Sequence, residues 1–276
     1  MNELLRALAP GAVVLDLGCG AGSFDAARSQ FTAVRLDLEA KSGRISNFVQ
    51  ADAAHLPFGA RCFDLVVSNH SLEHVENLAS ALEEIGRVLK SGGSLYVAVP
   101  DAATVTDRLY RWLARGGGHV NQFCSARELA LKIERATGLR HSATRTLCTS
   151  LSFLNRRNHR VPKRLLLFGG GTAASLRLLT YAFRLLDRFF GTRISVYGWA
   201  LYFGNNCGAI DRDPWTNVCI FCGAGHPSGW LLNDRRVVRH WLIPAYRCPS
   251  CGTVNLFTND RPSDSSNFGF CHNENP

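Results

Sequence analysis

Val13-Val-Leu-Asp-Leu-Gly-Cys-Gly-Ala-Gly-Ser-Phe24 decides how this chain begins to fold. Val13, Val14, Leu15 and Leu17 form a short apolar run of the kind covered on both faces in a parallel sheet. Gly18, Gly20 and Gly22 follow at once, and glycine lets a backbone turn sharply and come close to a ligand. A helix is expected to open at Ser23-Phe24. Nineteen residues after Gly18, Asp37 closes a second apolar run, Ala33-Val-Arg-Leu36. An acid at that strand tip can accept hydrogen bonds from both hydroxyls of a ribose. The opening therefore reads as the nucleoside-binding half of a doubly wound α/β sheet.

The details of the turn narrow the nucleotide. A dinucleotide fingerprint needs glycine at the sixth place of G-x-G-x-x-G, where this chain has Ser23. A Walker loop needs Lys-Ser/Thr after the turn, and none follows. Asp16 lies just ahead of the glycines; a carboxylate there repels pyrophosphate and suits a cationic amino acid. S-adenosylmethionine carries an ammonium, a sulfonium and a ribose, and no phosphate.

Further segments follow in order. Gln50-Ala-Asp52-Ala-Ala-His-Leu-Pro-Phe58 comes after a short strand, and Phe63-Asp-Leu-Val-Val-Ser-Asn69 is another buried strand. Ser71-Leu-Glu-His-Val75 opens a helix expected to run to Leu89. Lys90-Ser-Gly-Gly93 then turns into the strand Ser94–Pro100. This series resembles the class I S-adenosylmethionine-dependent methyltransferases, especially the ubiquinone/menaquinone-biosynthesis-like small-molecule group, over residues 1–140. The resemblance implies a seven-stranded, doubly wound Rossmann-like sheet and methyl transfer to a small-molecule or lipid-linked acceptor.

The resemblance also implies roles for particular residues. Asp16, Gly18, Cys19 and Gly20 hold the methionine end of the cofactor. Asp37 takes the ribose and Leu38 packs on the adenine. Asp52 accepts from the adenine amino group, and Ala53 offers its backbone amide. Ser68, Asn69 and His70 line the sulfonium region. Against these stand plainer roles: Gly22 for helix–strand packing, Asp52 for capping a turn. An acceptor that must lose a proton needs a base. His119 and His70 are the candidates, with His74 a third. His119 heads His119-Val-Asn-Gln-Phe123, similar to a His-x-x-x-Phe loop beside the substrate pocket of related enzymes, and a loop-ordering histidine is the alternative.

Charge is uneven. The chain carries 31 Lys+Arg and 22 Asp+Glu, a net of +9, yet residues 1–120 hold 11 basic and 13 acidic residues. Residues 121–210 hold 14 basic and 3 acidic, and residues 211–276 hold 6 of each, so the excess lies in the middle. There a basic, apolar helical insertion is expected at about 150–192, between strand six (Leu139–Leu147) and strand seven (Ile194–Phe203). Arg177, Arg184 and Arg188 share one helical face. Three readings stand: a cover over the substrate pocket, a peripheral helix on anionic lipid, and a phosphate-binding surface for RNA. The longest charge-free stretch of that insertion, 165–176, is too short to span a bilayer.

Cys219-Ile-Phe-Cys222 and Cys248-Pro-Ser-Cys251 form C-x2-C…C-x2-C, each pair followed by glycine. The pattern resembles a zinc ribbon, whose four thiolates close a tetrahedral structural site. His226 and His240 are weaker alternative ligands. Trp230, Leu231, Val237, Val238, Trp241, Leu242 and Ile243 are expected to form a hairpin between the knuckles. Cys62, Cys124, Cys148 and Cys207 read as scattered thiols. The organisation expected is a methyltransferase domain at 1–206, a linker at Asp211–Pro214, a ribbon at 214–257 and a disordered tail at 258–276. The carboxyl-terminal segment 211–276, electrically neutral, suits pocket closure, a homodimer or a protein partner better than nucleic acid. No signal peptide is evident, so a cytoplasmic location, with reversible membrane contact, is the expectation. Two rival functions remain: an RNA methyltransferase using the basic middle and the ribbon, and a non-enzymatic binding or scaffold module on the same fold.

Overall fold

A computed structural model of the chain describes residues 1–26, 29–39, 46–113, 118–148, 172–204, 213–238 and 243–259. Helix α1 (Asn2–Ala7) precedes three strands, β1 (Val13–Leu17), β2 (Thr32–Asp37) and β3 (Phe48–Gln50). Next come β4 (Phe63–Asn69), α2 (Leu78–Val88), β5 (Leu89–Pro100), α3 (Val105–Leu113), α4 (Ala126–Thr137) and β6 (His141–Cys148). Then follow α5 (Ala173–Phe190), β7 (Val196–Gly204), β8 (Trp215–Val218), β9 (Gly225–Pro227) and α6 (Ser228–Asn233). The last strands are β10 (Val237–Val238), β11 (Ala245–Arg247) and β12 (Val254–Leu256).

The hydrogen-bonded strand order is β3-β2-β1-β4-β5-β7-β6-β8-β9. β1 pairs in parallel with both β2 and β4, so the connections leave β1 and β4 in opposite directions. Such a switch point opens a crevice at the carboxyl ends of those two strands. Leu15, Leu17, Leu36, Val66, Leu95, Val97 and Val99 are buried, as continuous apolar strands require. α2 contributes Leu78, Leu82, Ile85 and Val88 to the same core, with Leu129 and Ile133 of α4.

Where seven strands were expected, nine described strands stand in the order above. Trp215–Val218 and Gly225–Pro227, expected inside a separate ribbon, extend the sheet: Thr146, Leu147 and Cys148 of β6 pair in parallel with β8, which pairs with β9. Without β8 the end of β6 would leave an edge of unpaired backbone groups. β10, β11 and β12 make a separate three-stranded sheet. Pro214 is no free linker, since its carbonyl accepts from the Thr146 amide at 2.7 Å. Asp211 and Arg212 lie outside the described residues.

Other expectations shift locally. No helix follows the glycine turn among the described residues; Gly20–Ala26 is turn and bend. The helix expected from Ser71 is a 3-10 turn at Leu72–His74, and α2 starts at Leu78. Asn77 sets that start: its side chain accepts from the Ser80 amide at 3.2 Å. Lys90–Gly93 is an irregular excursion within β5, whose register against β4 shifts between Phe63 and Leu65. α5 falls within the segment expected to be an insertion and is begun by a Thr172–Ser175 capping box; residues 149–171 lie outside the described residues.

The chain forms two compact units. The first comprises Met1–Pro100, His119–Thr144 and the run from Trp199; the second comprises Asp101–Gly118, Arg145–Gly198 and the chain from Asp211. Thr258, expected to open a disordered tail, is buried. Its amide donates to Asn217 Oδ1 at 2.8 Å, and its carbonyl accepts from Ser228 Oγ at 2.7 Å. Residues 260–276 lie outside the described residues.

In the second unit, Asp101 is 3% exposed. Burial raises its carboxyl from 3.8 to about 6, against the opposing pull of the Ala103 amide and Arg193; Asp107 adds to the rise. A raised folded value favours the protonated form, so this stability contribution is full below the unfolded value and is lost as pH rises through about 6. Asp101→Asn keeps the acceptor for Ala103 and removes the titration. It is expected to stabilise the protein at pH 8 by on the order of 2–3 kcal/mol, and by far less at pH 4, in urea unfolding followed at both pH values.

Candidate functional site

The carboxyl end of β1 is closed by hydrogen bonds that run through the glycine turn. Gly18, Gly20 and Gly22 have φ of 66°, 54° and 108°. The Cys19 amide donates to the Leu36 carbonyl at 2.9 Å, and the Gly20 amide to Asp37 Oδ2 at 2.8 Å. Both tie the turn to the tip of β2. The Ser23 amide donates to Asp16 Oδ2 at 2.9 Å, closing the turn onto β1. Gly18 has no room for a side chain, because a Cβ there would lie 2.3 Å from Ser71 Cβ. Ser71 Oγ in turn donates to the Leu17 carbonyl at 2.9 Å and shares a 2.6 Å hydrogen bond with Ser68 Oγ. The ends of β1, β2 and β4 are thus fastened together at the switch point.

Asp16 is fully buried, and its Oδ1 has no hydrogen-bond partner among the described residues. Burial raises its carboxyl above the ordinary range; Ser23 and Arg35 oppose the rise and Asp37 adds to it. An unpaired buried carboxylate oxygen is costly and is relieved by a cation or a donor. Beside it, Leu38 is 68% exposed, a large apolar side chain directly after the acid that ends β2. Those features fit S-adenosylmethionine: an acid for its ammonium, an acid for its ribose and an apolar surface for its adenine. Cys19 is buried, and its thiol lies 3.7 Å from the Gly20 carbonyl.

Asp52 follows β3. The Ala51 amide donates to the Asp37 carbonyl at 3.1 Å, which brings the Asp52–Ala53 segment to the tip of β2. Asp52 Oδ1 accepts from the Ala54 amide at 2.9 Å, so it does cap a turn, while its side chain stays 52% exposed. Asn69 ends β4, and the His70 amide donates to the Ala98 carbonyl at 2.9 Å. His70 holds a φ of 57°, unusual for a side chain other than glycine.

The two catalytic candidates meet through a residue that sequence reasoning missed. Glu73, only 2% exposed, has His70 Nδ1 3.7 Å from its Oε1, and its Oε2 is buried without a hydrogen-bond partner among the described residues. The His119 ring lies 4.9 Å from that of His74, and side-chain atoms of Glu73, His74 and His119 approach within 4.8 Å of one another. The His119 loop is pinned in place: the Val120 and Asn121 amides donate to the Glu73 carbonyl at 2.8 and 3.0 Å. Asn121 Nδ2 donates to the Leu72 and Val75 carbonyls. Asn121 therefore positions His119. The available signal was an acid between two apolar positions in Ser71–Val75.

In the second unit, the four cysteines of the two C-x2-C pairs converge. Cys219 Sγ lies 3.6 Å from Cys251 Sγ, and Cys222 Sγ lies 3.7 Å from Cys248 Sγ. Four sulfurs about 2.3 Å from one tetrahedral zinc would stand about 3.8 Å apart, so the donor set fits that ion. Gly223 and Gly252, with φ of 73° and 74°, donate to the Cys219 and Cys248 carbonyls to form two matching knuckles. The Phe221 amide and Asn255 Nδ2 each lie 3.4 Å from Cys219 Sγ, supporting negative charge on it. His226 Nε2 approaches Cys248 Sγ at 3.4 Å, an outer partner of the set; His240 lies outside the described residues. Trp230 and Leu231 lie on α6 instead of in the expected hairpin, which consists of β10 and β11. Trp241 and Leu242 lie outside the described residues. Cys124 is disulfide-bonded, unlike the free Cys62 and Cys148; Cys207 lies outside the described residues.

Residues 15–97 match the family profile described as "Methyltransferase domain". The chain is 40% identical over 91 residues to an uncharacterized protein of Methanocaldococcus jannaschii, covering 32% of this chain and 40% of that protein. It is 33% identical over 144 residues to a malonyl-[acyl-carrier protein] O-methyltransferase of Methylococcus capsulatus, covering 47% and 52%. It is 36% identical over 111 residues to a demethylmenaquinone methyltransferase of Corynebacterium urealyticum, covering 36% and 48%. The chain thus spans about half the length, or less, of these relatives. A SAM-dependent methyltransferase from Archaeoglobus fulgidus shares the fold, with a TM-score of 0.51 at 18% identity over 74% of this chain and 90% of that one.

The glycine turn makes a paired test. Gly18→Ala meets both Ser71 and a left-handed backbone, and is expected to cost roughly 2–5 kcal/mol in urea unfolding. Gly92→Ala, at a φ of 81° with nothing within 4 Å of the added carbon, carries only the backbone penalty, about 1–2 kcal/mol.

Proposed function

We propose that this protein transfers a methyl group from S-adenosylmethionine to a small-molecule or lipid-linked acceptor. The observation that carries the reading is Asp16, buried behind the glycine turn with one oxygen unpartnered, alongside Asp37 at the neighbouring strand tip. The family profile over the same residues supports it. The names of two relatives, one for a carrier-bound malonyl group and one for demethylmenaquinone, support the acceptor class.

When bound, the cofactor supplies a methyl group already activated on a sulfonium. The chain's own part is positioning and exclusion of water. Asp16 neutralises the ammonium, with Gly18, Cys19 and Gly20 letting the backbone close around it. Asp37 accepts from the ribose, Leu38 covers one face of the adenine, and Asp52 and Ala53 meet its polar edge. Asn69 and His70 border the side where the acceptor enters. Holding two reactants in line is worth up to roughly 7–11 kcal/mol of barrier. Where the acceptor must lose a proton, His119 takes it, oriented by Asn121 and with the Glu73 carboxylate close enough to stabilise the imidazolium.

We also propose that Cys219, Cys222, Cys248 and Cys251 hold one structural zinc. Cys219, Tyr246 and Cys248 are buried in a small core with Leu231 and Phe257. A core of that size gains stability from a metal.

Calorimetry with S-adenosylhomocysteine tests the cofactor site. Asp37→Ala is expected to weaken binding about 10- to 100-fold, the worth of a charged hydrogen bond. The wild-type affinity is expected to rise with pH through the raised Asp16 value, because the ammonium binds the carboxylate form; in Asp16→Asn that dependence disappears. No binding by the wild type, or full binding by Asp37→Ala, contradicts the reading. For the metal, elemental analysis is expected to find one zinc per chain, lost in Cys248→Ser/Cys251→Ser; a zinc-free wild type that unfolds no differently with a chelator rejects it.

A further inference from the structure

Helix α5 is apolar on its solvent side as well as on its packed side. Inward, Leu176 and Thr180 are buried, and Leu179 and Phe183 pack against Leu176 and Ile220, the latter inside the first cysteine knuckle. The helix has one acid, Asp187, and it is engaged by donors from Thr192 Oγ1, the Ile194 amide and the Ser195 amide. Outward, Leu178 is 71% exposed, Leu186 38%, Phe189 67% and Phe190 74%. Positions 174, 178, 182, 186 and 190 recur every four residues, so with Phe189 they lie along one side of the 18-residue helix. A helix on the surface of a water-soluble domain carries polar residues there.

Arg177 and Arg188 are eleven residues apart, three helical turns, and border the apolar side along a single edge. Arg184 falls between them, but its Nε is buried. We propose that this face of α5 lies on an anionic lipid bilayer. Leu178, Leu186, Phe189 and Phe190 enter the boundary of the acyl chains, and Arg177 and Arg188 meet the phosphates.

Charge and apolar area together select this occupant. Residues 121–210 hold 14 basic against 3 acidic residues, which draws the region to a negative surface. A second copy docked on the same face by a two-fold axis would set the same arginines opposite each other, and like charges oppose that contact. A nucleic acid would satisfy the arginines through phosphates and leave the leucines in water. A bilayer meets both demands. No described helix is long and apolar enough to cross a membrane, so α5 lies along the surface. The inference does not rest on the proposed activity, although a lipid-linked acceptor agrees with it.

Vesicle flotation tests it, using the full chain with phosphatidylcholine vesicles that contain or lack phosphatidylglycerol. The wild type is expected to float with the anionic vesicles only, and less as salt rises. Arg177→Ala and Arg188→Ala are each expected to weaken the partition about fivefold. Phe189→Glu/Phe190→Glu is expected to abolish it while circular dichroism and the unfolding midpoint stay at wild-type values, as exposed positions allow. Three results overturn the proposal: a wild type that stays with the soluble fraction, a double glutamate variant that floats as well as the wild type, or a wild-type dimer in sedimentation that the same variant dissociates, which assigns the face to a second copy.

Discussion

A buried carboxylate at the end of the first strand organises the amino-terminal site. Asp16 lies where water does not reach, and the Ser23 amide satisfies one of its oxygens. That single hydrogen bond folds the glycine turn back onto β1. The turn then gives the Gly20 amide to Asp37 and the Cys19 amide to Leu36, and leaves Gly18 against Ser71. Three strand tips are locked by one loop. The remaining Asp16 oxygen has no hydrogen-bond partner among the described residues, an unfavourable arrangement that a bound cation would relieve.

Sites of this kind hold stability and function in opposition. Asp16, and Glu73 a few residues beyond the end of β4, each bury a carboxylate oxygen that has no hydrogen-bond partner among the described residues, which is costly. Both are carboxylates enclosed by apolar strands and tight turns. The cost is met by the surrounding sheet, where Leu15, Val66 and Val97 are fully buried. The cysteine site follows a different logic. Its small core is built around sulfur, and the strands flanking its first knuckle pair with each other and with the end of β6.

Much of the first site was legible before any coordinates. Val13–Leu17 and Phe63–Asn69 are strands at the expected residues because unbroken apolar runs of that length have few other uses. Spacing from the glycines pointed to Asp37, which ends β2 beside the turn, and the repeated C-x2-C pointed to the four cysteines, which converge. What stayed hidden depends on contacts remote in sequence. Glu73 reads as an ordinary solvated residue of a helix, yet it is 2% exposed, and the loop from His119 donates the Val120 and Asn121 amides to its carbonyl. The interruption between His74 and Leu78 comes from an Asn77 cap that the helical pattern of Ser71–Leu89 conceals. The pairing of β8 with β6 joins residues about 70 apart and has no local signal.

The central claim is that carboxylates at strand tips, without phosphate contacts, grip an adenosyl sulfonium. A crystal structure grown with S-adenosylhomocysteine measures it directly. The account requires electron density for the ligand in the crevice beyond β1 and β4, its amino group against Asp16 and both ribose hydroxyls on Asp37. An empty crevice under saturating ligand, or one that takes a phosphorylated nucleotide in its place, contradicts it.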